Sequence, residues 1–210
     1  MLSATEDSRV ATPTRVPQEE RTRAMRLRLL EATVELLVEK GYGGTSTTLV
    51  SQRAGVSRGA QLHHFPTKND LVLAAVVHLA EVRGAEVAAA AERLRGGERR
   101  TRAVLEMLAD HFTGPVFAAA LELWVAARTD ETLRAAVAPL EGHIGREVHR
   151  LTVDALGIDE SRPGARELVQ GTLDLVRGLG LANTLTDDSA RRRRILDTWA
   201  RVLDDHLEAP

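Results

Sequence analysis

Apolar residues recur at helical spacing along most of the chain. Between Glu19 and Lys40, Met25, Leu29, Leu30, Thr33, Leu36 and Leu37 share one face, and Gly41 supplies a C-terminal stop. Ser46 or Thr47 can cap a short second helix reaching about Ala54. Gly55 breaks it, and Ser57 suits the N-cap of a third helix through about His64. Thr67 can cap a long helix opening at Lys68. The pattern then predicts helices over about 68–94, 99–112, 115–128, 130–156, 164–185 and 187–207. Their breaks fall at Gly96-Gly97, Gly114-Pro115, Pro163-Gly164 and Thr186-Asp187, and Pro139 is expected to kink or split the 130–156 segment. Residues 1–17 carry no apolar period and read as a flexible arm. Two-residue alternation is absent over any useful length, so the expected fold is all-α.

Composition strengthens that reading. Leu, Ala and Val supply most of the 43% hydrophobic content, while aromatics make up only 3%. Strand formers are rare and helix formers abundant. The absence of cysteine removes disulfides, thiolate metal sites and thiol redox sensing. The opening MLSATEDSRV lacks the apolar core of a secretory signal, and no stretch reaches the roughly 18 apolar residues of a membrane span. A cytoplasmic protein with no membrane partner is expected. Net charge is −2 overall, but residues 1–70 carry a net +2 and the rest a net −4. That asymmetry permits nucleic-acid binding in the first segment without establishing it.

The stretch richest in function runs from Thr45-Ser46-Thr47-Thr48 through Ala54-Gly55-Val56-Ser57-Arg58-Gly59-Ala60 to Gln61-Leu62-His63-His64-Phe65 and Lys68. Two short helices joined by a tight turn at Ala54–Ser57 make a helix-turn-helix. Gly55 can adopt the left-handed conformation, and Val50, Ala54 and Val56 can pack on the first helix. The front of the second short helix enters the major groove in this motif.

From about Arg21 to Leu73 the sequence resembles the TetR family. The likeness rests on a long first helix ending at Gly41-Tyr42, the Thr45-Ser46-Thr47 start, Ala54-Gly55-Val56-Ser57, Gly59, His64-Phe65 and Lys68. The resemblance implies a helix-turn-helix DNA-binding domain over residues 18–70 and a helical ligand-sensing and dimerisation domain over residues 71–210. It also implies a homodimer on a palindromic double-stranded operator, usually acting as a repressor released by a small molecule. The DNA-facing set expected from it is Thr47, Thr48, Ser57, Arg58, Gly59, Ala60, Gln61, His63, His64 and Lys68. Thr47, Thr48 and Lys68 are expected at phosphates, which position the protein without reading sequence. Arg15, Arg21, Arg23 and Arg26 either add electrostatic attraction or form a solvated basic face. Where the family usually has an apolar residue followed by a phosphate-contacting Tyr, this chain has Gln61 and Leu62. Two readings stand. Either Gln61 reads an adenine edge, or Leu62 takes the core position and Gln61 merely sits on the surface. Adjacent histidines such as His63 and His64 rarely converge on one ion, so no metal or cofactor is expected.

In the second half, Val169, Leu173, Val176, Leu179 and Leu181 stripe one helix, and Ile195, Leu196, Trp199, Val202 and Leu203 the last. These two helices either form a four-helix interface with a second copy or face only the chain's own core. Gly171, Gly178 and Gly180 would allow backbones to approach closely. A ligand pocket needs apolar walls with a few polar groups. Met107, His111, Phe112, Phe117, Leu121, Trp124 and Arg128 offer that mixture, with His143 and His149 as possible additions. No nucleophile elbow, phosphate-binding loop or His-Glu-x-x-His pair is present, so no enzyme is expected. A carboxylate–histidine pair of Glu122 and His111 is the nearest approach to catalysis. A constitutive DNA binder and a protein-binding adaptor complete the alternatives.

Overall fold

The structure is a computed structural model that describes residues 18–94 and 100–208; the arm over 1–17 and the Gly96-Gly97 break lie outside the described residues. Among the described residues the chain forms nine helices and no strand. They are α1 (Gln18–Gly44), α2 (Thr47–Ala54), α3 (Arg58–His64), α4 (Lys68–Leu94), α5 (Arg100–Thr113), α6 (Pro115–Ala127), α7 (Glu131–Leu156), α8 (Ala165–Ala182) and α9 (Ser189–Glu208).

Local chemistry sets most of these ends. Gly41 interrupts the helical backbone at φ 68°, ψ 175°, so the regular part of α1 stops at Lys40 and a tight turn completes it. Ser46 caps α2 by accepting from the Leu49 amide at 3.3 Å. Ser57 does the same for α3 with the Ala60 amide, also at 3.3 Å. Gly55 takes the left-handed conformation (φ 62°, ψ 37°), and its amide closes the last turn of α2. At the start of α4, Asp70 Oδ2 accepts from the Thr67 amide at 3.1 Å while the Asp70 amide donates to Thr67 Oγ1 at 3.1 Å, a reciprocal capping box.

Three apolar clusters hold the molecule together. Leu29, Leu30 and Leu36 of α1 meet Val50, Ala54, Val56, Phe65, Leu71 and Ala75, which joins α1–α3 to the first turns of α4. Leu37, Val72 and Val76 meet Ala119, Leu123, Ala127, Leu133 and Val137, which seats that unit on α6 and α7. The remaining helices enclose a larger core around Leu105, Leu108, Val169, Val176 and Leu203. Helix α4, about 40 Å long at 1.5 Å per residue, contributes Leu71, Val72 and Ala91 to the three clusters in turn. A Cβ on Gly180 would collide with the Phe112 carbonyl oxygen, so α8 rests directly on α5.

Pro139 does not split α7, which runs unbroken from Glu131 to Leu156. Pro139 and Ala135 are both exposed, so the carbonyl that loses its amide partner faces water. No single described helix is long and apolar enough to cross a membrane. Only α5 and α6 together pass that test, and they meet at a 53° bend with their apolar residues in the core.

Candidate nucleic-acid interface and ligand cavity

Helix α3 divides into two faces. Gln61 and Phe65 point into the core, whereas Ser57, Arg58, Gly59, Leu62 and His63 are exposed; Ala60 and His64 are half-buried. Residues 58, 59, 62 and 63 lie one turn apart and present a single outward strip.

Gln61 corrects both readings of the Gln61-Leu62 pair. Its side chain is 0% exposed and so cannot meet a base edge, while Leu62 stands 43% exposed. Gln61 has the position usually apolar in the family. It is held there because its Nε2 donates to the Phe65 carbonyl at 2.6 Å, although its Oε1 has no partner. An orphaned buried acceptor of this kind costs about 1–3 kcal/mol.

Thr48 is exposed and Thr47 half-buried at the front of α2. Arg53 is tied to α1 through Glu39 at 2.6 Å and Glu35 at 3.1 Å, which fixes the pose of α2. Lys68 turns toward the protein. Its Nζ donates to the Tyr42 carbonyl at 2.6 Å and sits 3.8 Å from the Tyr42 ring centroid, and burial pushes its pKa down. An ammonium has three donors, so this geometry leaves Lys68 capacity for an outside acceptor. The His63 and His64 rings lie 5.6 Å apart at 64°, and no three metal-binding side chains cluster among the described residues.

The other half contains a cavity of about 360 Å³, walled by α4, α5, α6 and α7 and within the size range of small-molecule pockets. Its surface is mainly apolar, with Val77, Ala80, Leu140, Ile144 and Val148 on it and Glu81, His111 and His143 among its polar groups. A chamber of about 40 Å³ adjoins it, bounded by His111, Phe112, Phe117, Trp124, Glu141 and Arg177. Phe112, Phe117 and Trp124 pack edge to face at 5.5 and 5.8 Å. The Arg177 guanidinium lies 5.5 Å from the Phe112 ring and 5.9 Å from the Trp124 ring, with Glu141 at 3.8 Å. Burial raises the Glu141 pKa, an effect opposed by Arg177. Burial lowers that of His111 by disfavouring the charged ring.

Four of the seven expected pocket residues, His111, Phe112, Phe117 and Trp124, therefore line these spaces. Met107, Leu121 and Arg128 line neither. Met107 packs against the larger core and Arg128 is exposed at the end of α6. His143 reaches the cavity, whereas His149 is engaged by Glu160 at 2.7 Å and Gln170 at 2.6 Å. Sequence reasoning missed the α4 wall and, apart from His143, the α7 wall, together with Glu141 and Arg177. Glu122 is committed elsewhere than to His111, accepting from the Tyr42 amide at 2.9 Å.

An exposed strip on a capped helix-turn-helix, joined by one long helix to a helical body with a cavity, is the arrangement of a DNA-binding transcription regulator. The model of bacterial regulatory proteins of the tetR family matches residues 29–75. The transcriptional regulator CymR of Pseudomonas putida is 34% identical over 199 residues, covering 91% of this chain and 95% of CymR. The chain belongs to the TetR family. Its fold is similar to that of a regulator from Pseudomonas aeruginosa PAO1 (TM-score 0.66, 24% identity, 91% of this chain and 93% of that one). It is also similar to the multidrug-binding protein EbrR in complex with malachite green (TM-score 0.60, 24% identity, 83% and 96%).

Proposed function

We propose that the chain is a homodimeric, cytoplasmic repressor that leaves a palindromic operator when a small molecule enters the cavity. Residues 18–70 form the DNA-binding domain and residues 71–210 the sensing and dimerising domain. Arg58, Gly59, Leu62 and His63 face the major groove. Ser57, Ala60 and His64 support that strip, and Thr47, Thr48 and Lys68 meet phosphates. The observation that carries this reading is α4, which supplies Leu71 and Ala75 to the core beneath the recognition helix and Val77 and Ala80 to the cavity wall. A ligand favouring a shifted α4 weakens operator binding by linkage.

The dimer face supporting this reading is the outer side of α8 and α9. Val169, Leu173, Val176 and Leu179 belong to the chain's own core, but Leu181, Leu185 and Val202 are exposed. Gly171 and Gly178 have open space where a Cβ would stand, which leaves α8 a shallow surface for a symmetry mate.

Selection from a randomised duplex pool, followed by sequencing of the bound fraction at near-physiological salt, tests the proposal. The expected result is one palindrome with half-sites centred about one helical turn apart, roughly 34–36 Å, and a weaker enrichment of it with Arg58→Ala. No enriched site from a folded dimer would overturn it. Operator affinity unmoved by a broad panel of amphiphilic compounds, malachite green included, would leave a constitutive DNA binder.

A further inference from the structure

Tyr42 uses all three of its polar groups to bridge α6 and the first turn of α4. Its amide donates to Glu122 Oε2 of α6 at 2.9 Å, its carbonyl accepts from Lys68 Nζ at 2.6 Å, and its hydroxyl donates to Asn69 Oδ1 at 2.5 Å. Gly41, just before it, holds φ 68°, ψ 175°, a region almost closed to residues with a side chain. A Cβ there would stand 2.7 Å from the same Glu122 oxygen. The Gly41 carbonyl accepts from Thr45 Oγ1 at 2.8 Å, which links the turn to the start of α2. The link between α1 and α2 is thus shaped around a carboxylate from the other half of the molecule.

That carboxylate rides on a helix that also walls the inner chamber. On α6, Phe117 and Trp124 bound the chamber, Leu123 packs with Leu37 and Val72, and Glu122 grips the turn. Any repositioning of α6 around a cavity occupant acts on the Tyr42 amide. From Tyr42 it passes to Lys68 and Asn69, at the end of α4 nearest the recognition helix.

We propose that Glu122 couples α6 to the DNA-binding unit, carrying the state of α6 to the α1–α2 turn by a route separate from the length of α4. This rests on the reading of the chain as a cavity-controlled operator binder. A charge-assisted bond to a backbone amide suits the task because it is strong and directional. Since coupling is reciprocal, operator binding must be felt at α6 even with the cavity empty.

Hydrogen exchange of the full chain, with and without the duplex recovered by selection, tests this. In the wild type, operator slows exchange in α2–α3 and, at least threefold, in residues 117–127. Glu122→Ala keeps the first response and loses the second; Glu122→Gln, still an acceptor, keeps both. Glu122→Asp, a methylene short of the amide, behaves as the alanine variant and replaces it should that variant not fold. A residue that merely stabilised the fold would raise exchange equally with and without DNA. An α6 response that survives Glu122→Ala, or one absent from the wild type while α2–α3 responds, overturns the inference. Silence in both segments refutes the DNA-binding reading itself, and this inference with it.

Discussion

Replacing Gly41 by alanine perturbs two terms that the structure separates. The first is backbone strain: at φ 68°, ψ 175°, a Cβ-bearing residue costs about 1–3 kcal/mol. The second is the 2.7 Å approach to Glu122 Oε2, which forces the carboxylate aside and breaks its bond to the Tyr42 amide. A hydrogen bond to a charged group is worth about 1.5–3 kcal/mol, and the lower end applies because this one is only part-buried. Together they predict a loss of about 3 kcal/mol, which for a chain of this size lowers the melting temperature by about 6–12 °C. The assay is thermal unfolding followed by far-ultraviolet circular dichroism at one fixed protomer concentration, since dimer stability depends on concentration. The double variant Gly41→Ala/Glu122→Ala separates the terms. With the carboxylate gone, alanine at 41 costs only its strain, so the double loses about 1–1.5 kcal/mol less than the sum of the singles. A Gly41→Ala loss below about 0.5 kcal/mol, or strict additivity with Glu122→Ala, would refute the reasoning.

The remaining predictions address groove, interface and cavity. Gln61→Met leaves the selected DNA sequence unchanged and operator affinity within about threefold, whereas Arg58→Ala weakens it by about tenfold or more; an altered base preference for Gln61→Met in the same selection would contradict its burial. Leu181→Asp/Val202→Asp gives a monomer by sedimentation velocity, with operator affinity lost, and a dimer persisting at micromolar concentration would move the interface elsewhere. His111, held neutral by burial with its folded pKa below 6.5, contributes no penalty above pH 6.5. As pH falls below that value the unfolded chain takes up a proton that the folded chain refuses, so stability drops until the folded pKa is passed. Chemical denaturation from pH 7.5 to 5 shows a shallower fall for His111→Gln; parallel curves would sink this assignment.

How much of this was legible in the sequence depends on what kind of feature is asked for. Helix ends were readable because caps and glycines act locally. Ser46, Ser57, Gly55 and Gly41 fix their ends through their own side chains or φ values. A split of α7 at Pro139 does not occur because its cost depends on whether the freed carbonyl meets water, which one sequence does not show. The swap of Gln61 and Leu62 was hidden for a related reason. Polarity suggests an exposed Gln, but an amide can be buried where a carbonyl such as that of Phe65 accepts from it. In the cavity, aromatic residues on α5 and α6 were found by type. Apart from His143, the walls from α4 and α7 depend on how helices are rotated about their axes, which no local signal shows. The same rotation keeps Met107 and Arg128 out of both spaces. Glu122 had no local signal at all, since its partner lies 80 positions away.

Recognition of a specific duplex by a dimer is read out by fluorescence anisotropy at near-physiological salt, comparing the selected palindrome with a scrambled duplex of equal composition. The expected result is two protomers per palindrome and a preference of about a thousandfold or more over the scrambled duplex, with affinity falling steeply as salt rises. Equal affinity for the two duplexes, or binding that ignores salt, would contradict it.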